Sequence, residues 1–252
     1  MKKQKKRVAS KKDTPKKKTI KSKKPTRVKT GITGFDKLVE GGFEYGSVNL
    51  VKGGSGTGKT IFAMQFLMEG LKRKENVLYI TFEETKKDFY KNMIEFGWNL
   101  QKIEATGKFT FLEYSPEKIK MMLDEGGGVV ESIVLKKKIK RIIIDSLSSF
   151  SLLFQNLQER RQNISTLFDM LKKWDCTVLV TFQADSKNKQ ADSIAEIQAD
   201  SSILFSSEKL KGKRQKTLEV LKMRGTDHSE NTHAFDFSKK GITMGRKIRK
   251  SK

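Results

Sequence analysis

Short apolar runs alternate along this chain with longer stretches whose apolar positions recur every three or four residues. The first pattern suits strands and the second suits helices. Residues 48–51 (VNLV) read as a short strand entering a glycine-rich run. Residues 58–73 then read as a helix, with Ile61, Phe62, Met64, Phe66, Leu67 and Leu71 at its apolar positions. A second strand covers 76–82 (NVLYITF). Thr85 and Asp88 have the spacing of a capping box and open a helix to about Glu95. Another strand covers 109–114. Residues 117–138 are helical in character, but glycines at 126–128 split them into two helices or leave a flexible joint.

The run 141–145 (RIIID) is a strand ending in an acid. Residues 158–173 form an amphipathic helix, with Ile164, Leu167, Phe168 and Leu171 on one side, and 176–182 is a buried strand. Residues 184–199 are polar and free of glycine, which suggests a loop with a short helix. Late strands follow at 203–205, 217–223 and 233–237. A turn at Lys211-Gly212 joins the first two as a hairpin, and Gly241 begins another turn. Strands alternating with helices predict an α/β fold, a mostly parallel sheet with helices on both faces and an antiparallel hairpin at one edge. The 252 residues suffice for one such core.

Charge divides the chain further. Lys and Arg number 53 against 29 Asp and Glu, a net +24. Residues 1–29 hold fifteen of those cations and one acid, and residues 239–252 hold seven and none. The body between them is close to neutral. Residues 1–29 have too little apolar content to offset the entropy of ordering and read as a disordered tail. Such a tail is either an unspecific, salt-sensitive arm for nucleic acid or merely a solvating segment. The domain is therefore expected at 30–245, with a second basic tail at 246–252. The single cysteine, Cys176, reads as a small core residue and fits a reducing, cytoplasmic setting. No apolar run is long enough for a membrane helix, and the N-terminus has no apolar segment of the secretory type.

The clearest chemistry lies at residues 53–60, GGSGTGKT. Its pattern is that of a phosphate-binding loop. Glycines let successive N–H groups turn inward on an anion, and the following helix adds its positive end. The expected ATP contacts are Gly54, Ser55, Gly56, Thr57, Gly58, Lys59 and Thr60. Lys59 sets a charge on the β- and γ-phosphates, and Thr60 offers a hydroxyl to Mg²⁺. Asp145, at a strand tip, is read as holding Mg²⁺ or its waters, although it also suits a helix N-cap. Glu83 and Glu84 follow a strand. One of them, Glu84 ahead of Glu83, is expected to polarise the attacking water; the alternative is a favourable charge on the next helix. Gln183, at another strand end, is a candidate sensor of the γ-phosphate. Lys222 and Arg224 lie two apart and therefore on one face of a strand. They read either as fingers reaching a phosphate held by a neighbouring subunit or as a solvated pair guarding a sheet edge.

Several motifs together resemble the KaiC-type ATPases of the RecA/RadA superfamily. They are TGITGFD (30–36), Gly41-Gly42, the phosphate loop, TFEET (81–85), FGW (96–98), RIIIDS (141–146) and KMRGTDH (222–228). The resemblance covers roughly 27–245. It implies a RecA-like fold, ATP and Mg²⁺ as cofactors, and homo-oligomeric rings, usually hexamers, with ATP between subunits. It further implies that Glu83 and Glu84 are the catalytic carboxylates. Lys222, Met223, Arg224, Thr226 and His228 match residues that contact nucleotide from the adjacent subunit. Ser238 falls where that family has another nucleotide-contacting hydroxyl. The clock protein of the family carries two such domains; one is present here. Where that protein is phosphorylated, this chain reads Ala195-Glu196-Ile197-Gln198, so self-phosphorylation and a clock role are not implied.

The expected function is thus a ring-forming, regulatory or signalling ATPase. A RadA-like recombinase paralogue or accessory ATPase that binds DNA is the alternative, and a nucleotide-binding scaffold without turnover is a third. The 184–199 segment, with Lys187 and Lys189 against Asp185, Asp192 and Glu196 and no aromatic, weighs against base stacking.

Overall fold

The computed structural model describes residues 26–184, 189–210 and 213–247. Most of the basic N-terminal stretch, the Lys211-Gly212 turn, Lys187 and most of the C-terminal tail lie outside the described residues. A nine-stranded sheet dominates. In chain order its strands are β3 (Val48–Gly53), β4 (Asn76–Thr81), β5 (Phe109–Glu113), β6 (Ile139–Asp145), β7 (Thr177–Gln183), β8 (Ser201–Leu210), β9 (Lys213–Met223), β10 (His233–Ser238) and β11 (Gly241–Lys247). Across the sheet the order is β11-β10-β9-β8-β3-β7-β6-β4-β5. From β8 to β5 every pairing is parallel; β9, β10 and β11 are antiparallel to their neighbours. The short strands β1 (Arg27–Val28) and β2 (Phe43–Glu44) pair separately.

Strand alternation builds two cores, as a sheet covered on both faces requires. Val77, Tyr79 and Ile143 face one way, onto α1 (Lys59–Lys72), α2 (Lys86–Ile94) and α3 (Leu100–Glu104). Leu78, Ile80, Ile142 and Ile144 face the other way. They meet α4 (Pro116–Asp124), α5 (Gly128–Lys137), α6 (Leu147–Ser151), α7 (Leu157–Lys173) and α8 (Lys189–Gln198). Ile164, Leu167, Phe168 and Leu171 of α7 are all buried, as their spacing predicts. Thr85 caps α2, its hydroxyl accepting from Asp88 N–H, and the glycines at 126–128 separate α4 from α5. Cys176 is buried, and its thiol is pushed up to about 12 by that burial.

Some elements depart from the expectation. The helices α3 and α6 span five residues each, too few for a 3.6-residue period to register. Residues 189–198 form a ten-residue helix rather than mainly a loop. Gly241 opens strand β11 instead of beginning a turn, so the antiparallel edge continues beyond β10. Arg141, inside an otherwise apolar strand, is only 1% exposed. Its guanidinium bonds Glu75 and the carbonyls of Lys29 and Phe66, and lies 4.6 Å from the Phe66 ring centre.

Candidate nucleotide-binding site

Parallel strands end at one edge of a sheet, and this topology gathers the polar positions there. Gly53 of β3 pairs with Gln183 of β7, and Thr81 of β4 pairs with Asp145 of β6. The glycine loop, Glu83, Glu84, Asp145 and Gln183 therefore share the carboxyl edge of the sheet, the side where α/β folds bind ligands. Gly53 runs so close to β8 that a Cβ would stand 2.4 Å from the Phe205 carbonyl oxygen. Gly58, the residue before α1, has φ +110°, and a Cβ there would meet the Phe237 ring at 2.4 Å. Side chains at either position would close the loop. Beside it lies a cleft of about 280 Å³, walled by Gly56, residues 58–61, Phe96 and Phe237.

The Lys59 ammonium curls back on this loop, donating to the carbonyls of Gly53 and Gly54, both at 2.9 Å. Burial lowers its pKa, and the charges of Asp145 and Glu83 oppose that shift. Thr60 Oγ1 donates to Asp145 Oδ2 at 2.9 Å. The hydroxyls of Tyr79 and Thr181 donate to the same carboxylate. A hydroxyl and a carboxylate side by side, one residue after the loop lysine, form the hard oxygen donor set that Mg²⁺ takes beside a phosphate. The groove, the ammonium and this oxygen pair fit a magnesium nucleotide.

Glu83 and Glu84 have different surroundings. Glu83 Oε1 accepts from the hydroxyls of Ser146 and Ser149, the latter at 2.6 Å. Those serines flank the start of α6, so Glu83 leans toward Asp145. Glu84 Oε1 accepts from Asn92 of α2 at 2.7 Å. Burial raises the Glu84 carboxyl above its usual range, against the lowering by Asn92. Gln183 donates its backbone N–H to Ser148 Oγ and leaves its side chain exposed next to Gly53.

Lys222 and Arg224 are not brought to this edge. They lie at the end of β9, which runs antiparallel to β8, with Lys222 opposite Ser202. Both side chains bond the Ile197 carbonyl, so they share one face as alternation predicts. Met223 is buried nearby. Thr226 accepts from Arg27 at 2.7 Å, and His228 Nδ1 lies 3.4 Å from the Ser229 carbonyl. Ser238, in contrast, follows Phe237 and sits near the chain's own loop, with its hydroxyl on the Gly241 carbonyl.

Sequence reasoning missed Tyr79, Thr181, Ser146, Ser149 and Asn92, which hold the three carboxylates. It also missed Lys216, which donates to the Gly56 carbonyl at 2.8 Å and lies over the Phe237 ring. Strand alternation signals that Tyr79 faces α1; nothing local signals the others.

A mostly parallel sheet flanked by helices, with a glycine loop between β3 and α1, defines a phosphate-loop NTPase of RecA-like fold. The chain belongs to the KaiC ATPase family, whose model matches residues 28–248. It is 36% identical over 231 residues to a circadian clock protein, KaiC3 of Synechocystis, covering 86% of this chain and 45% of that protein. A UPF0273 protein of Thermotoga maritima is 34% identical over 232 residues, covering 86% of this chain and 95% of the relative. The chain thus spans about half the length of the clock relative and nearly all of the Thermotoga protein. A KaiC-like protein of Pyrococcus horikoshii has a solved structure with a TM-score of 0.78 and 31% identity, covering 88% of this chain and all of the other. Membership marks the chain as an ATP-binding domain of the ATPase type. Among the described residues no helix is long and apolar enough to cross a membrane.

Proposed function

We propose that this chain hydrolyses ATP at sites shared between neighbouring copies in a homo-oligomeric ring, a hexamer, and serves there as a regulatory or signalling ATPase in the cytoplasm. The observation that carries the reading is the position of the two basic residues relative to the chain's own loop. Lys222 is level, through Ser202, with Leu50, three residues before Gly53. At ~3.3 Å per residue that is about 10 Å along the strand for Lys222, and about 17 Å for Arg224. Each cation also lies two strands across from β3. Neither reaches the phosphates of its own site, yet a paired Lys and Arg at a turn suit an anion supplied by another molecule.

Within the shared site, backbone N–H groups of Gly54, Ser55, Gly56, Thr57 and Gly58 wrap the phosphates. Lys59 leaves its two carbonyls for the β- and γ-phosphates. Thr60 and Asp145 would hold Mg²⁺, which would supply positive charge to the phosphate oxygens. Glu83, fixed by two serines near Lys59, takes the proton of the attacking water as the bond from the γ-phosphorus to the leaving oxygen breaks. Glu84 assists as the second carboxylate. Gln183 senses the γ-phosphate. Lys222 and Arg224 of a second copy stabilise the transferring group, with Met223, Thr226 and His228 bordering the nucleotide from that side. Ser238 contacts it from the loop's own side, where Phe96 and Phe237 flank the base. The basic termini add unspecific, salt-sensitive attraction for nucleic acid.

Family membership favours this reading over a recombinase. The test is a mixture of two inactive variants that both still bind nucleotide, Glu83→Gln and Arg224→Ala. Shared sites restore ATP hydrolysis in the mixture, because an intact Glu83 meets an intact finger. An Arg224→Ala protein that hydrolyses ATP alone, or a fully active monomer, refutes it.

A further inference from the structure

Lys222 has no donor to spare in this structure, and Arg224 is turned onto the same helix end. An ammonium group has three N–H donors. Lys222 Nζ meets three carbonyls at the end of α8, those of Glu196 at 2.8 Å, Ile197 at 3.3 Å and Ala199 at 2.7 Å. Arg224 donates to the Ile197 carbonyl at 3.0 Å and pairs with Asp200 at 3.3 Å. These carbonyls are the unpaired acceptors of a helix C-terminus, where the helix dipole also favours cations. The end of α8 is therefore a competing destination for the same donors that a phosphate needs. Lys222 is either on α8 or on an anion outside, and the two positions exclude each other.

One residue connects this hold to the chain's own phosphate loop. The carbonyl of Glu196 accepts from Lys222, while its carboxylate pairs with Lys52 at 2.8 Å and accepts from Ser202 at 3.2 Å. Lys52 belongs to β3 and immediately precedes Gly53. Its side chain is 11% exposed and that of Glu196 is 30% exposed, so water screens the pair only in part. The helix itself is fixed by the burial of Ile194, Ala195 and Ala199. The Lys52–Glu196 pair thus ties β3, just before the loop, to the turn of α8 that holds the finger residues.

We infer that Glu196 is a positioning residue that couples a chain's own nucleotide to the release of the Lys222–Arg224 pair it presents to its neighbour. The inference rests on the shared-site reading above. It gives the ring a direction: a subunit offers its fingers once its own loop is filled. The coupling runs through a discrete exchange of donors between α8 and phosphate, which is the two-position element such linkage requires.

The test measures ATP hydrolysis against ATP concentration in the intact oligomer and in Glu196→Gln, with Lys52→Met cutting the same link from the other side. The intact protein is expected to show a Hill coefficient well above 1. Both variants are expected to fall toward 1 while the dissociation constant for a non-hydrolysable ATP analogue stays within about threefold. Thermal melting shows whether each variant is folded, and a folded Lys52→Met suffices if Glu196→Gln is not. A Hill coefficient of 1 in the intact protein overturns the inference, as does an unchanged coefficient in a folded variant. A variant whose only defect is weaker nucleotide binding overturns it too, since Glu196 would then serve the loop alone. The Glu83→Gln and Arg224→Ala mixture, in which both loops still fill, separates the failures: restored activity there with no change in Glu196→Gln leaves shared sites standing and removes only the coupling.

Discussion

The Thr60 hydroxyl donates to the Asp145 carboxylate at 2.9 Å, joining the first turn of α1 to the tip of β6 across 85 residues of sequence. Tyr79 and Thr181 donate to the same carboxylate from the strands on either side. Three hydroxyls thus fix the acid where the loop helix begins. Asp145→Asn keeps the shape but loses the charge and inserts two donors among three others. Magnesium-dependent affinity for ATP is expected to fall by at least about tenfold, the scale on which support of a metal site acts. Titration calorimetry with and without Mg²⁺ checks this; equal losses in both conditions would remove the metal role.

Glu83 is held by two serine hydroxyls, an arrangement that aims its carboxylate. Glu83→Gln preserves both contacts and removes proton acceptance. The expected result is a fall in turnover of about 10²–10⁴ with nucleotide binding retained, the usual worth of a positioned base. Phosphate release under saturating ATP measures it. A loss of binding instead would assign Glu83 to the loop's architecture.

Glu84 makes a pH prediction. Burial raises its carboxyl above the usual 4.5. In the interval above 4.5 the unfolded chain has released this proton while the native protein keeps it. The native state then binds more protons, so this group's contribution to stability declines as pH rises through that interval. Glu84→Gln removes the decline. The melting temperature of the variant relative to the parent is expected to increase from pH 4 upward and then level off. A constant difference across that range would contradict the shift.

Arg141 is buried against Glu75, two carbonyls and the Phe66 ring. Arg141→Ala leaves those acceptors and the Glu75 carboxylate without their cation. A loss of about 3–5 kcal/mol is expected, as for other broken buried pairs. Denaturant unfolding gives the value. A change below about 1 kcal/mol would mean that solvent reaches these groups and replaces the guanidinium.

The phosphate loop was legible because its chemistry is local. Glycines at fixed spacing, a lysine and a hydroxyl residue act through their own backbone and the helix they begin. The strands around it were legible for a similar reason, since a parallel strand covered on both faces is a nearly unbroken apolar run. The ends of the hairpin, the five-residue helices α3 and α6 and the extent of α8 were not, because their pattern is too short or too polar to carry a period. The difference between Glu83 and Glu84 was hidden as well. Adjacent carboxylates look alike until Ser146 and Asn92 are folded against them.

Sequence alone determined that this chain builds an α/β sheet around a loop able to grip a polyphosphate, since backbone freedom at glycine and alternation along a strand are properties of neighbouring residues. Only the tertiary structure decided that Lys222 and Arg224 stand far from that loop and that Glu196 lies between the two. That outcome depends on β8 pairing beside β3, with Ser202 level with Leu50, and such a pairing is set by packing between segments distant in sequence, where no local pattern records it.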